Sequence, residues 1–115
     1  MKMLTILIVE DETLVAMDLE MMITKIVPAA IVIESSVAAT KKVLHEALDF
    51  AFLDVDVTNG KTFEIAEILE RKHVLFVFIS GSRQDQLPFE LHSAPFIPKP
   101  FYPAQIESAL QAVVN

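Results

Sequence analysis

The chain has no cysteine, and only two of its 115 residues are glycine. Without cysteine it can carry neither a disulfide framework nor a thiolate metal site. With Gly60 and Gly81 as its only glycines, it cannot build the glycine-rich loops that cradle nucleotide phosphates in G-x-G-x-x-G and Walker motifs. These absences exclude a disulfide scaffold and argue against nucleotide binding.

The chain also lacks a long apolar run. No stretch approaches the roughly 20 residues that a membrane-spanning helix needs. The largely apolar residues 3–9 are followed at once by Glu10, Asp11 and Glu12, which is not the pattern of a cleavable signal peptide. We therefore expect a protein that does not insert into a membrane and that is located in the cytoplasm.

Basic residues are few and scattered. Nine Lys and Arg stand against sixteen Asp and Glu, for a net charge of −7. Because contacts with nucleic-acid phosphates need a concentrated basic face, direct nucleic-acid binding is disfavoured.

The remaining composition is that of a folded domain. Hydrophobic residues make up 53% of the chain and the mean hydropathy is +0.48, which excludes disorder. The length suits one domain over residues 1–115, and no linker or repeat divides it. Short apolar runs alternate with segments of helical periodicity, which predicts an α/β sandwich around a parallel sheet. The predicted strands are 4–9, 30–34, 50–53, 74–79 and 96–97, and the predicted helices are 12–27, 37–48, 62–71 (with Thr62 as N-cap), a weak 84–92, and 103–113.

Polar side chains collect where these strands end. In an open parallel sheet, ligands bind outside the carboxyl ends of the strands. Taken one at a time, each polar residue has an ordinary explanation as a helix cap (Asp11), a turn or a solvated loop residue. Their joint placement indicates a site made of Glu10, Asp11, Asp54, Ser80 and Lys99.

The chemistry of these groups suggests phosphoryl transfer. Carboxylates close together raise one another's pKa values unless a cation intervenes. Oxygen donors without cysteine or histidine favour a hard ion, Mg²⁺ before Mn²⁺ or Ca²⁺. Such an ion would keep Asp54 ionised as a nucleophile toward phosphorus, while Ser80 and Lys99 would bind the oxygens of the incoming group.

Four segments resemble the signatures of response-regulator receiver (CheY-like) domains. They are residues 6–12 (ILIVEDE), 52–56 (FLDVD), 79–81 (ISG) and 98–101 (PKPF), in the family's order and across the whole chain. The resemblance implies a flavodoxin-like (βα)5 three-layer fold with a five-stranded parallel sheet in the order 2-1-3-4-5. It also implies a signalling protein of a two-component system or phosphorelay rather than an enzyme, phosphorylated on Asp54 by a histidine kinase or phosphotransfer protein.

The same resemblance implies a role for each site residue. Asp11 and Asp54 would bind Mg²⁺ through side-chain oxygens, Asp56 through its backbone carbonyl and Glu10 through water. Ser80 and Lys99 would hold the phosphoryl group, and Asp56 and Ser82 would tune its hydrolysis. Phe96 would be the aromatic switch residue, and the Lys99–Pro100 peptide bond would be cis.

Two segments depart from the common receiver pattern. The loop after Asp54 lacks the usual proline, and the stretch 80–99 is short and contains Pro88 and Pro95. A brief or irregular helix is therefore predicted there, as in a subgroup of stand-alone receivers. A downstream protein target or a homodimer could use the face that carries Phe89, Leu91, Phe96 and Tyr102, unless these residues belong to the core.

Two other functions stay open on the sequence alone. Residues 54–58 (DVDVT) also fit the Asp-x-Asp-x-Thr motif of haloacid-dehalogenase-like phosphatases, in which Asp56 would be the general acid and base. In those enzymes the acidic pair follows the Lys, whereas here Glu10 and Asp11 precede Asp54. A pseudo-receiver that binds partners without being phosphorylated is the second alternative.

Overall fold

The structure, a computed structural model, describes residues 3–114 as an alternation of strands and helices. The strands of the main sheet and the helices follow one another in the predicted order. The strands are β1 (Leu4–Val9), β2 (Ala29–Glu34), β3 (Phe50–Asp54), β4 (Leu75–Ser80) and β5 (Phe96–Pro98). The helices are α1 (Thr13–Ile26), α2 (Val37–Val43), α3 (Phe63–Arg71) and α4 (Pro103–Leu110).

The five strands form one parallel sheet in the order β2-β1-β3-β4-β5. This confirms the predicted flavodoxin-like topology. Every residue of β3 is buried, as expected of a central strand covered on both faces.

Apolar side chains alternate between the two faces of the sheet and build a core on each. On one face, Leu53 and Phe78 pack with Leu69 of α3. On the other, Phe52 packs with Ile23 of α1 and Ile106 of α4. Helices therefore cover both faces, which confirms the three-layer prediction.

A small hairpin follows β3. Asp56–Val57 pairs antiparallel with Gly60–Lys61, and its turn places Asn59 and Gly60 at positive φ, 68° and 145°. This confirms the turn predicted at Asn59-Gly60. A bridge between Ser36 and Thr58 ties the hairpin to the segment after β2.

The segment 84–92 is not an α-helix. It forms two 3-10 turns, Gln84–Gln86 and Phe89–Leu91, on either side of Pro88. Pro88 has no N–H to donate, so a continuous helix across it would lose a hydrogen bond. The prediction of a brief or irregular helix is confirmed.

Two helices are shorter than predicted. The last helix ends at Leu110 rather than at residue 113. Helix α2 ends at Val43 rather than at residue 48. The Lys72 side chain, just beyond α3, donates a hydrogen bond to the carbonyl of Leu44. That donor replaces the N–H that another helical turn would have supplied. Among the helices of residues 3–114, none has the length and apolar character to cross a membrane.

Candidate functional site

The register of the parallel strands brings the polar residues together at one edge of the sheet. Leu53 lies opposite Val9, Ile79 opposite Asp54, and Pro98 opposite Ser80. The residues that end or directly follow these neighbouring strands therefore meet. They are the predicted Glu10, Asp54, Ser80 and Lys99.

Three carboxylates form a cluster at this edge. Glu10, Asp11 and Asp54 each offer an oxygen, and these oxygens all lie within 4.8 Å of one another. Glu10 and Asp54 are buried and Asp11 is exposed, so the cluster opens to solvent on one side. Burial raises the pKa of Glu10 above its ordinary value of 4.5. An all-oxygen, carboxylate-rich donor set of this kind fits a hard divalent cation such as Mg²⁺.

The sequence suggested that Asp11 could simply cap the first helix, and the structure does not support that. Helix α1 begins at Thr13 with Glu12 in the N-cap position, and no side chain caps it. Instead, the backbone N–H of Glu12 donates to Oε2 of Glu10 at 3.1 Å. This bond fixes the Glu10 carboxylate at the start of the helix.

Lys99 supplies the positive charge of the cluster. Its Nζ lies 2.8 Å from Oε1 of Glu10 and 3.0 Å from Oδ2 of Asp54. Burial of the ammonium lowers the pKa of Lys99, but its hydrogen bonds to Glu10 and Asp54 outweigh this effect, so the pKa is raised above 10.5. Lys99 is therefore fully charged at neutral pH. The Lys99–Pro100 peptide bond is cis, as predicted.

Ser80 ends β4 beside this cluster. It is almost fully buried, and its Oγ accepts a hydrogen bond from the backbone N–H of Ser82 at 3.1 Å. Its carbonyl accepts one from the N–H of Lys99 at 2.9 Å. The hydroxyl and the ammonium are thus held at the ends of adjoining strands.

The carboxylate of Asp56 does not join the three others. It is exposed and contacts the ammonium of Lys61, and its Oδ2 lies 3.5 Å from Oγ of Ser82. A role for Asp56 through its backbone carbonyl stays a prediction.

Thr62 contacts the backbone of Asp54, which the sequence did not indicate. It was predicted to cap α3, and it does occupy the N-cap position, but its side chain makes no capping bond. Its Oγ1 donates instead to the carbonyl oxygen of Asp54 at 2.6 Å, in the buried interior. In a sequence, a threonine directly before a helix predicts a capping bond. The carbonyl of Asp54 becomes the acceptor only because the hairpin returns the chain to the end of β3, and the sequence does not show this.

The face predicted for partners is only partly a surface. Phe89 and Tyr102 are exposed, but Leu91 is buried in the core, and Phe96 is half-buried against the same core cluster. For Leu91 the alternative that it belongs to the core is confirmed. The 3-10 turn at Phe89–Leu91 directs its first and last residues to opposite sides.

Comparison with known proteins identifies the family. No family model matches the chain. Among solved structures, the chain is 34% identical to SdrG from Sphingomonas melonis Fr1, with 98% of each chain covered and a TM-score of 0.77. It is 26% identical to the response regulatory domain of MrkE from Klebsiella pneumoniae, covering 95% of this chain and 93% of that one, with a TM-score of 0.78. The chain belongs to the response-regulator receiver family.

The curated relatives of this receiver domain are longer proteins. It is 27% identical over 114 residues to the sensory transduction protein LytT of Bacillus cereus, a match that covers 95% of this chain and 46% of LytT. The chain thus spans about half the length of the curated relatives it matches. The family likeness confirms the predicted signalling class, a receiver of two-component systems.

Proposed function

We propose that this receiver domain accepts a phosphoryl group on Asp54 in an Mg²⁺-dependent reaction. The donor would be a histidine kinase or a phosphotransfer protein, and phosphorylation would change the domain's contacts with other proteins in the cytoplasm. The observation that carries the proposal is the contact of Lys99 with the buried carboxylates of both Glu10 and Asp54, beside the exposed Asp11.

In the proposed transfer, Asp54 supplies the nucleophile. A carboxylate oxygen of Asp54 attacks the phosphorus, an acyl phosphate bond forms, and the bond between phosphorus and the donor's leaving group breaks. When bound, Mg²⁺ would offset the negative charge that the carboxylates and the phosphoryl oxygens bring together.

Lys99 and Ser80 are placed to stabilise the product. The Lys99 ammonium already contacts Oδ2 of Asp54 and is charged at neutral pH, so it can donate to an oxygen of the bound phosphoryl group. The Ser80 hydroxyl, on the neighbouring strand, can donate to another. Charge-assisted bonds formed only with the phosphorylated residue are a physical basis for a switch.

Intact-mass measurement tests this function. The domain is incubated with acetyl phosphate and Mg²⁺, and in parallel with EDTA. We expect a gain of one phosphoryl group with Mg²⁺ that is absent with EDTA and absent in Asp54→Asn. Asp18→Asn, a change at an exposed carboxylate on α1, is the matched control and should react like the wild type.

Two further assays include outcomes that would replace the proposal. Turnover of p-nitrophenyl phosphate that is lost in Asp56→Asn would favour the phosphatase, in which Asp56 acts as general acid and base. No phosphoryl gain with small donors or with a panel of kinases would favour a pseudo-receiver.

A further inference from the structure

Thr62 holds the backbone that carries Asp54 through two hydrogen bonds. Its Oγ1 donates to the carbonyl of Asp54 at 2.6 Å, and its N–H donates to the carbonyl of Val55 at 3.0 Å. The threonine is fully buried, and Asp54 and Val55 are buried with it. Two consecutive peptide carbonyls, the first belonging to the phosphate acceptor, are thus fixed by one side chain and its own amide.

In this arrangement the Thr62 side chain does not cap α3. A threonine at the N-cap normally turns its hydroxyl onto the first backbone N–H groups of the helix and takes an extended conformation. Thr62 instead has φ −87° and ψ 15° and makes no capping bond. Its hydroxyl is directed to the residue that bears the reacting carboxylate, although a threonine hydroxyl in this position usually stabilises a helix as a cap.

The bond matters because of where Asp54 lies in its strand. Asp54 is the last residue of β3 and pairs with Ile79 of β4, so the sheet fixes the backbone up to this residue. Beyond it the chain leaves the sheet and enters the hairpin that starts at Asp56. The peptide after Asp54 is therefore the point where the sheet no longer fixes the chain, and Thr62 contacts that peptide.

We propose that Thr62 is a positioning residue for phosphoryl acceptance, acting through its hydrogen bond to the carbonyl of Asp54. This inference rests on the proposed function of Asp54. With the carbonyl fixed, the side chain of Asp54 stays directed at Lys99 and at the other carboxylates. Released, the peptide can rotate and displace the nucleophile, and a displacement of about 1 Å in a reacting group can slow a reaction by as much as about a hundredfold.

Three variants separate positioning from stability. Thr62→Val keeps the shape and removes the hydroxyl, and Thr62→Ser restores the hydroxyl. The matched control is Thr40→Val, because Thr40 is equally buried and its Oγ1 donates to the carbonyl of Ser36 at 2.7 Å, within the α2 region. Both valine variants lose a hydrogen bond from a buried threonine hydroxyl to a carbonyl, but only one of these carbonyls belongs to Asp54.

The measurement is the rate of phosphorylation by acetyl phosphate at saturating Mg²⁺, scaled to the folded fraction, with the thermal midpoint recorded for each variant. We expect Thr62→Val to react about fivefold more slowly, the factor that corresponds to one buried hydrogen bond. Thr62→Ser should return to within about twofold of the wild type. Thr40→Val should lose thermal stability but keep the wild-type rate.

Several results would overturn the inference. A wild-type rate in Thr62→Val, together with a lowered thermal midpoint, would make Thr62 purely structural. A slow Thr62→Ser would show that the hydroxyl is not responsible. If Thr62→Val does not fold, Thr62→Ala replaces it, since alanine also removes the hydroxyl, and an unchanged rate there would be equally decisive. A wild type that gains no phosphoryl group would instead remove the proposed function, and this inference with it.

Discussion

Removing the Lys99 ammonium should destabilise the fold strongly and in a pH-dependent way. In Lys99→Met the aliphatic part of the side chain is largely kept, but Glu10 and Asp54 lose the donor that lies 2.8 and 3.0 Å from their oxygens. Their side chains are only 3% and 9% exposed, so water cannot replace the ammonium fully. Two buried carboxylates, close to a third, would then face one another without a counter-charge.

The size of the stability loss in Lys99→Met follows from how deeply Lys99, Glu10 and Asp54 are buried. Removing one partner of a buried ion pair costs about 3–5 kcal/mol. The Lys99 side chain retains 19% exposure and Asp11 keeps the cluster open to solvent, so we place the loss in the free energy of unfolding at about 3 kcal/mol. The matched control is Lys41→Met, because Lys41 pairs with Glu64 at 2.8 Å with both side chains about half exposed, and its loss should cost about 0.5 kcal/mol.

The pH dependence has a definite sign. The raised pKa of Glu10 means that the folded state holds this proton more firmly, so ionisation of Glu10 costs stability as pH rises through a folded pKa above 4.5. The raised pKa of Lys99 means that its contribution to folding stability is complete below pH 10.5 and is lost only as the pH rises beyond that value. The difference between wild type and Lys99→Met should therefore be largest from neutral to moderately alkaline pH, and should shrink as Glu10 is protonated toward pH 4.5.

Urea unfolding in EDTA at a series of pH values measures this difference. The variant should be less stable than the wild type at pH 8 and should approach it at acidic pH, while Lys41→Met should follow the wild type throughout. Equal stability of Lys99→Met and wild type at pH 8, or a difference that does not change with pH, would refute the conclusion that Lys99 neutralises the buried carboxylates.

Three further predictions concern the metal, the hairpin and the switch. Mg²⁺ should raise the thermal midpoint of the wild type in proportion to the logarithm of its concentration, and less so in Asp11→Asn; an equal rise in both would remove Asp11 from the ligand set. Gly60→Ala should lower the free energy of unfolding in urea by about 1–3 kcal/mol, because Gly60 has a φ of 145°. The control Gly81→Ala, with no atom within 4 Å of its added Cβ, should lower it far less. Similar losses in the two variants would contradict this prediction. Phosphorylation should shift the NMR resonances of Ser80 and Phe96, and identical spectra in the two states would exclude a switch through them.

The architecture could be predicted because the sheet is buried on both faces. The apolar residues 50–53 and 74–79 leave no polar face, which indicates parallel central strands between helices. The convergence of Asp54, Ser80 and Lys99 then followed, since parallel strands end at a common edge. The sequence could not predict that the Lys99 ammonium contacts both Glu10 and Asp54.

What could not be predicted depends on local paths of the backbone. The hydroxyl of Thr62 had two acceptors within reach, the start of α3 and the carbonyl of Asp54, and the tight hairpin decided between them. In the segment 84–92 the apolar side chains have no helical periodicity, so the sequence does not indicate which of them face the core. Only the 3-10 turn in the structure shows that Leu91 is buried and Phe89 is exposed. Irregular segments are where sequence periodicity carries least information.

Reductive trapping of the phosphorylated domain tests the central claim most directly. Borohydride converts an aspartyl phosphate to homoserine, and peptide mapping then locates the residue that carried the group. We expect homoserine at position 54 alone, and only after incubation with acetyl phosphate and Mg²⁺. Homoserine at position 11 or 56, or a phosphorylated protein with no homoserine at all, would contradict the assignment of Asp54 as the phosphate acceptor.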